Sequence, residues 1–428
     1  MTAIPFDPFS ETQRENPYPA YAELRKNSPV AKVEKIGAYA VSRYADVAYV
    51  LRHPELFSSR TMMTAMSSAI GGSGFAGLDT LSPADTARIA ELVSKMPIPL
   101  GAGIRGRSLI GADPPVHGPM RNLVNRGFTP RKISEIEARV RAIAREALDA
   151  LDGKPDFDIV SEFFMPLPVT VISELLGVEP ERSSDFKRWS DCAVAAGTGG
   201  AGALGPVKVL EGMSEFTTYL IDIVERRRAD PGDDLISTLI RAEDGETALT
   251  PVEVVMFTLL LLVAGNETTT NLLGNTLLAL MEHPDELARV RRDPSRIPAL
   301  IEEGLRYDGP IQYLFREANQ DIELSGTKIP AGSMVLPLLG SANRDEAQFP
   351  QADRFIVSRN TAGHLAFGLG IHFCLGASLA RLEARVALEE LLPRFASFER
   401  SEPTVRYVDS YLVRGPKHLP LRAAAASS

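Results

Sequence analysis

The sequence predicts a mainly α-helical protein with small β-sheets, and three observations carry that expectation. Long segments repeat apolar residues at three- and four-residue intervals, strand-like stretches are few and clustered, and the two kinds of segment do not alternate regularly. The last point argues against a doubly wound parallel sheet. With 428 residues, 44% of them hydrophobic, the chain can bury a large core. Nothing in the pattern forces a split, so one domain over residues 1–428 is expected.

Taken in order, GAYAVSRY near residue 40 reads as a short β piece. Residues 60–111 and 193–206 are rich in small residues and read as loops. Each carries a glycine run, Gly72 to Gly77 and Gly197 to Gly202, that fits a dinucleotide-binding pattern as text; neither follows a strand signal, so both read as loops. Helical periodicity marks ISEIEARVRAIAREALDAL, EGMSEFTTYLIDIVERRRA, the long stretch from Pro251 to Asp293, and IPALIEEGLRYD. From Asp321, DIELSGTKIPAGSMVLPLL reads as a hairpin-like pair broken at Ile329 to Gly332. No repeat is found, and the tail AAAASS reads as frayed.

The net charge of −9 argues against nucleic acid as main partner, because a phosphate backbone calls for a dominant basic face. The N-terminal stretch shows no secretory pattern, so a cytoplasmic protein is expected. The apolar run from Val254 to Gly265 is shorter than the ~20 residues of a membrane span and reads as a core helix, with no membrane anchor expected. Two cysteines far apart in unlike contexts do not make a disulfide framework.

Cys192 reads as a core filler. Cys374 differs: Gly368, Gly370 and Gly376 let the backbone bend closely around it, and the helix that follows directs N–H groups toward the sulfur, favouring thiolate. A thiolate serves as nucleophile or metal ligand. A structural zinc calls for about four ligands, for which 2 Cys and 6 scattered His are poorly suited, whereas an axial thiolate on haem iron needs no second protein ligand.

The segment Phe367-Gly368-Leu369-Gly370-Ile371-His372-Phe373-Cys374-Leu375-Gly376 resembles, position by position, the haem-binding loop of the cytochrome P450 family of haem-thiolate monooxygenases. Two further segments share the resemblance: Ala264-Gly265-Asn266-Glu267-Thr268-Thr269, similar to the family's oxygen-groove helix, and Glu303-Gly304-Leu305-Arg306, similar to its ExxR pair. The resemblance extends from NPYPAYAEL to VRGPKHLPL, nearly the whole chain.

The resemblance implies the cytochrome P450 fold, with haem b between the oxygen-groove helix and the helix after the Cys loop. It makes Cys374 the iron ligand, and Glu267 and Thr268 the acid and alcohol that relay protons to dioxygen. A Thr268 hydroxyl could bond back to the Ala264 carbonyl and, beside Gly265, open the helix. Ala264 would leave room beside the haem. His117, Arg121, Arg316 and His372 would anchor its propionates, suited by their charge and donors. Gly118-Pro119 departs from the family's usual polar residues, though proline suits a first helical turn. Glu303 and Arg306 would join Arg354 in holding the core on the Cys side.

The substrate pocket implied comprises Leu260, Val263, Ala264, Gln312, Leu314 and Leu412, which suits a lipophilic small molecule such as a terpenoid, steroid, fatty acid or polyketide. No flavin or iron–sulfur module is seen, so a ferredoxin-type donor with its reductase is the expected electron source, steered by the basic stretch Arg121 to Lys132. Two alternatives stand beside this reading. One is a haem-thiolate protein that uses peroxide or senses a ligand; the other is a serine hydrolase built on Gly376-Ala377-Ser378-Leu379-Ala380 with His418.

Overall fold

The computed structural model describes residues 6–62, 81–98, 108–198, 204–241, 249–410 and 412–425. The elements used below are α1 (Tyr18–Asn27), β1 (Val30–Val33), β2 (Ala38–Val41), α2 (Tyr44–Arg52), β3 (Phe57–Ser58), α3 (Pro83–Lys95), α4 (His117–Asn125) and α5 (Glu137–Asp149). They continue with β4 (Asp156–Asp158), α6 (Ser183–Thr198), α7 (Pro206–Ala229), α8 (Pro251–Glu282), α9 (Ile297–Tyr307), β5 (Arg316–Ala318), β6 (Ile322–Leu324) and β7 (Thr327–Ile329). Last come β8 (Met334–Pro337), α10 (Ala377–Arg394), β9 (Phe395–Arg400) and β10 (Pro420–Ala425). Two compact units result, one from residues 1–58, 130–168 and 268–428, the other from 59–129 and 169–267.

The first unit holds the sheets. Five strands run in the order β1-β2-β8-β5-β3, with β2 and β8 parallel and the other pairs antiparallel. Three more strands pair as β4-β10-β9. Helix α2 packs on the larger sheet because Val47, Ala48, Val50 and Leu51 fall on its buried side, joining Val41, Phe57 and Val335 in one apolar cluster. The Asp345 carboxylate accepts from the Tyr44 N–H at 2.8 Å and closes the first turn of α2. Helices α5 and α10 are joined by an ion-pair network in which Arg141 reaches Glu389 and Glu390 while Arg385 reaches Glu137.

The second unit is helical among its described residues. Helices α6 and α7 share an aromatic seam of Phe186, Trp189, Phe216 and Tyr219, with Trp189 stacked on Phe216 at 5.4 Å. A Cβ at Gly212 would run into the Cys192 sulfur, so α7 approaches α6 closely at that point. Cys192 is buried and its thiol is pushed up by desolvation, as a core filler should be.

Helix α8 spans 32 residues and, among the described residues, is the one helix long and apolar enough to cross a membrane. Every residue from 269 to 280 is buried, including Thr269, Thr270, Asn271, Asn275 and Thr276, so this half packs against protein. The Thr270 hydroxyl donates to the Phe164 carbonyl at 3.2 Å.

Several local expectations change. The 60–111 stretch contains α3, started by Ser82, whose hydroxyl accepts from the Asp85 N–H, and by a proline in the first turn. The Gly72–Gly77 run lies outside the described residues. Helix α6 continues to Thr198, so the second glycine run begins inside a helix, and Gly199–Gly202 lie outside the described residues. The Pro251–Asp293 periodicity is two helices, because the chain leaves α8 at His283 and restarts at Pro284. The hairpin turns at Ser325-Gly326, both at positive φ, joining β6 to β7; the 330–332 turn instead leads to β8 in another sheet.

Candidate active site

Cys374 occupies a loop set by backbone geometry. Gly368 and Gly370 adopt φ of +71° and +73°, and a Cβ at Gly370 would lie 2.6 Å from the Leu51 carbonyl oxygen. One turn of 3₁₀ helix covers Gly370–His372, the Cys374 N–H donates to the Phe367 carbonyl at 2.8 Å, and α10 starts from Gly376. The sulfur-bearing residue is half-buried at the entry of an 18-residue helix, where backbone donors and the helix dipole favour negative charge.

Behind the loop, Arg381 stacks on Phe367 at 4.5 Å and is clasped by Glu302 at 2.6 and 2.8 Å. His364 lies 2.9 Å from the same carboxylate. The Arg381 guanidinium is held above its ordinary value by the Glu302 hydrogen bond first and by the Cys374 charge in addition. Burial works to raise Glu302, but hydrogen bonds from Arg381 and His364 outweigh it and bring the carboxyl to about 2. Nothing in sequence spacing signalled this cluster, since Glu302, His364 and Arg381 lie on three separate segments.

The Glu303–Arg306 pair is fully buried. Arg306 donates to the Glu303 carboxylate at 2.7 and 2.8 Å, and to the carbonyls of Asn343, Ala352 and Arg354. The third arginine is Arg359, not Arg354. Arg359 lies 3.3 Å from Glu303 with 7% of its side chain exposed, while Arg354 offers its backbone carbonyl and points its exposed side chain to Gln351. Two successive turns after Phe349 bring Arg359 back beneath α9, a geometry invisible in linear spacing.

Helix α8 carries a stripe of less-buried residues at Leu260, Val263, Ala264, Glu267 and Thr268, spaced three and four apart on one face. Ala264 and Gly265 are exposed, and a Cβ at Gly265 would meet nothing within 4 Å. Burial alone pushes the Glu267 carboxyl up to about 7. In the same unit, His117 opens α4 with 3% exposure, and burial together with the Arg121 guanidinium lowers its imidazole. Pro119 sits in the first turn, so the glycine-proline departure leaves both basic residues on the helix.

In the sheet unit, Arg316 starts β5 at 4% exposure and donates to the Phe315 carbonyl at 2.7 Å. Leu314 is half-buried against the apolar cluster, and Leu412 accepts at its carbonyl from the Gln312 N–H. The Gln312 side chain does not join the lining expected for it. It is buried, receives the Tyr21 hydroxyl at 3.2 Å and donates to the Gly309 carbonyl at 2.9 Å. Ser378 lies in the first turn of α10 after a 3₁₀ turn, without the strand a nucleophile elbow requires, and His418 lies 2.8 Å from Asp158.

Within the sheet unit the donor chemistry fits a haem held by one cysteine: a half-buried Cys374 on a glycine-shaped loop, and a buried arginine, Arg316, of the kind that holds carboxylates.

Comparison with known proteins agrees. The sequence profile described as Cytochrome P450 matches residues 208–419. Cytochrome P450 107B1 of Saccharopolyspora erythraea is 36% identical, covering 97% of each chain. The 6-deoxyerythronolide B hydroxylase of the same organism is 37% identical, covering 99% of each. Cytochrome P450 CYP109Q5 from Chondromyces apiculatus superposes with a TM-score of 0.83 at 43% identity, covering 99% of each chain. CYP109E1 from Bacillus megaterium, in complex with testosterone, gives 0.79 at 37% identity, covering 95% of this chain and 99% of its own. From the thiol loop, the buried ExxR pair and likeness over nearly the full length, the chain belongs to the cytochrome P450 family of haem-thiolate monooxygenases.

Proposed function

We propose that Cys374 supplies the axial thiolate of haem b, that His117, Arg121, Arg316 and His372 hold its propionates, and that Glu267 and Thr268 deliver protons to dioxygen. The whole chain is read as one catalytic domain. When bound, the haem supplies the activation of dioxygen that lets one oxygen atom enter a C–H or C=C bond, with two electrons from a redox partner. Cys374 would hold the iron through its sulfur, and the charge a thiolate brings would favour O–O cleavage there. Glu267, raised to about 7 by burial, is protonated about half the time at neutral pH and can give up and regain its proton, and Thr268 one residue on offers a hydroxyl to receive and pass it. Ala264 and Gly265 keep side-chain bulk away from that face of α8.

The observation that carries this reading is the open stripe from Leu260 to Thr268, which gives way at residue 269 to a fully buried run of the same helix. Its acid and alcohol favour dioxygen over a peroxide-only or sensing role. Lipophilic substrates fit Leu260, Val263, Leu314 and Leu412, and a relative that binds testosterone makes a steroid-sized molecule the first choice. Titration of the purified holoprotein with testosterone should displace iron-bound water and shift the Soret band to shorter wavelength; a panel of lipophilic compounds that moves nothing would refute the lipophilic pocket.

A cytoplasmic ferredoxin is the proposed electron donor. Arg126 and Arg131 are exposed in the basic stretch, although Arg131 already pairs with Glu135 at 2.9 Å. Reversing both charges should slow ferredoxin-supported turnover by about threefold or more at low ionic strength and less at high. Equal rates at both salts would remove this docking patch.

A further inference from the structure

Two residues named above for substrate contact, Leu314 and Leu412, lie on segments that are laced together. Ile311 bridges Val413 in antiparallel fashion, the Gln312 N–H donates to the Leu412 carbonyl at 3.0 Å, and the Arg414 N–H to the Pro310 carbonyl at 2.7 Å. At the end of this ladder lies a buried ion pair, Arg414 Nε to Asp308 Oδ1 at 2.9 Å, with side chains 7% and 14% exposed. The Tyr18 hydroxyl donates to the same oxygen at 2.5 Å, and Arg414 also donates to the carbonyls of Arg14 and Glu15.

Helix α8 grips this pair. One amide nitrogen, Nδ2 of Asn275, donates to the carbonyls of both Asp308 and Arg414, at 2.8 and 3.0 Å. The turn after Arg414 is seated so closely that a Cβ at Gly415 would run into Asn271. Thr268, Asn271 and Asn275 recur at three- and four-residue intervals, so they share one face of α8.

We propose that Asp308, Arg414 and Asn275 are positioning residues: a clamp that fixes the 311–314 stretch and Leu412 against the helix bearing Thr268, and so sets how large a substrate the protein accepts. An apolar core could hold these segments with comparable stability, but only directional bonds to named carbonyls fix their register. The inference rests on the proposed pocket lining.

The test compares two haem ligands by Soret titration of the holoprotein: imidazole, which reaches the iron without filling the pocket, and clotrimazole, a bulky imidazole that fills it. Asn275→Ala and Asp308→Asn should each weaken clotrimazole about tenfold while imidazole affinity stays within about twofold. Tyr18→Phe, which removes one hydroxyl and leaves both charges, should move the same ratio by about two- to threefold, and covers the case in which the stronger variants fail to fold. An unchanged ratio, or equal weakening of both ligands with a lowered melting midpoint, would overturn the clamp. A wild-type Soret band that answers imidazole but not clotrimazole would overturn the pocket reading beneath it, and the clamp with it.

Discussion

Two carboxylates on two helices of this protein serve opposite ends. Glu303 on α9 is fully buried and surrounded by donors: Arg306 twice, Arg359, and the Ile356 N–H at 2.8 Å. Glu267 on α8 is half-buried, and burial without a compensating cation pushes it to about 7. Glu303, gripped by donors from Arg306, Ile356 and Arg359, holds structure, whereas a carboxylate raised by desolvation alone can exchange a proton near neutral pH. Glu383 on α10 stands between them, raised by burial to about 8 and pulled down by a Thr269 hydrogen bond.

The largest effect should come from emptying the engaged site. Glu303→Ala leaves Arg306 buried and uncompensated, a loss of about 3–5 kcal/mol, and should yield protein that neither holds haem nor melts cooperatively. Arg359→Ala removes one arm and its carbonyl contacts and should cost about 2 kcal/mol. Arg354→Ala keeps the backbone carbonyl that Arg306 uses and should cost less than about 0.5 kcal/mol. Denaturant melts of the three variants rank the arms, and an Arg354→Ala loss as large as that of Arg359→Ala would contradict the assignment of the third arginine.

The smaller effect lies at the exchanging site and appears as pH dependence. Glu267 titrates at 4.5 in the unfolded chain and about 7 in the folded one, so the unfolded chain releases its proton first. Stability therefore falls as pH rises from 4.5 to about 7 and is flat above. Glu267→Gln should be more stable than the parent at pH 8, with the difference gone near pH 4.5, while product formed per electron pair falls about tenfold or more. A stability difference that does not change with pH would show that Glu267 keeps an ordinary value.

The same contrast explains what could be read in the sequence. The Cys374 loop was legible because its cause is local: glycines that permit positive φ, a thiol, and a helix start lie within ten residues. Glu303 and Arg306 were legible through the resemblance, since spacing on one helix face alone suits a surface ion pair as well. Arg359 was not, because which arginine reaches Glu303 depends on how the turns after Phe349 fold back, and Arg354 sits in an equally plausible position in the chain. Gln312 was placed in the pocket by the family resemblance, yet Tyr21 and Gly309 capture its amide. The 60–111 stretch read as loop from its small residues, yet α3 starts within it at Pro83, and the hairpin read as broken at Ile329 to Gly332 turns at Ser325-Gly326.

The central claim is that the Cys374 sulfur ligates haem iron as a thiolate. Reduced protein under carbon monoxide should show the strongly red-shifted Soret band of a thiolate-ligated haem, and Cys374→Ser should lose that band while Cys192→Ser keeps it. A wild-type band at the position typical of histidine-ligated haem, or one unchanged in Cys374→Ser, would contradict the account.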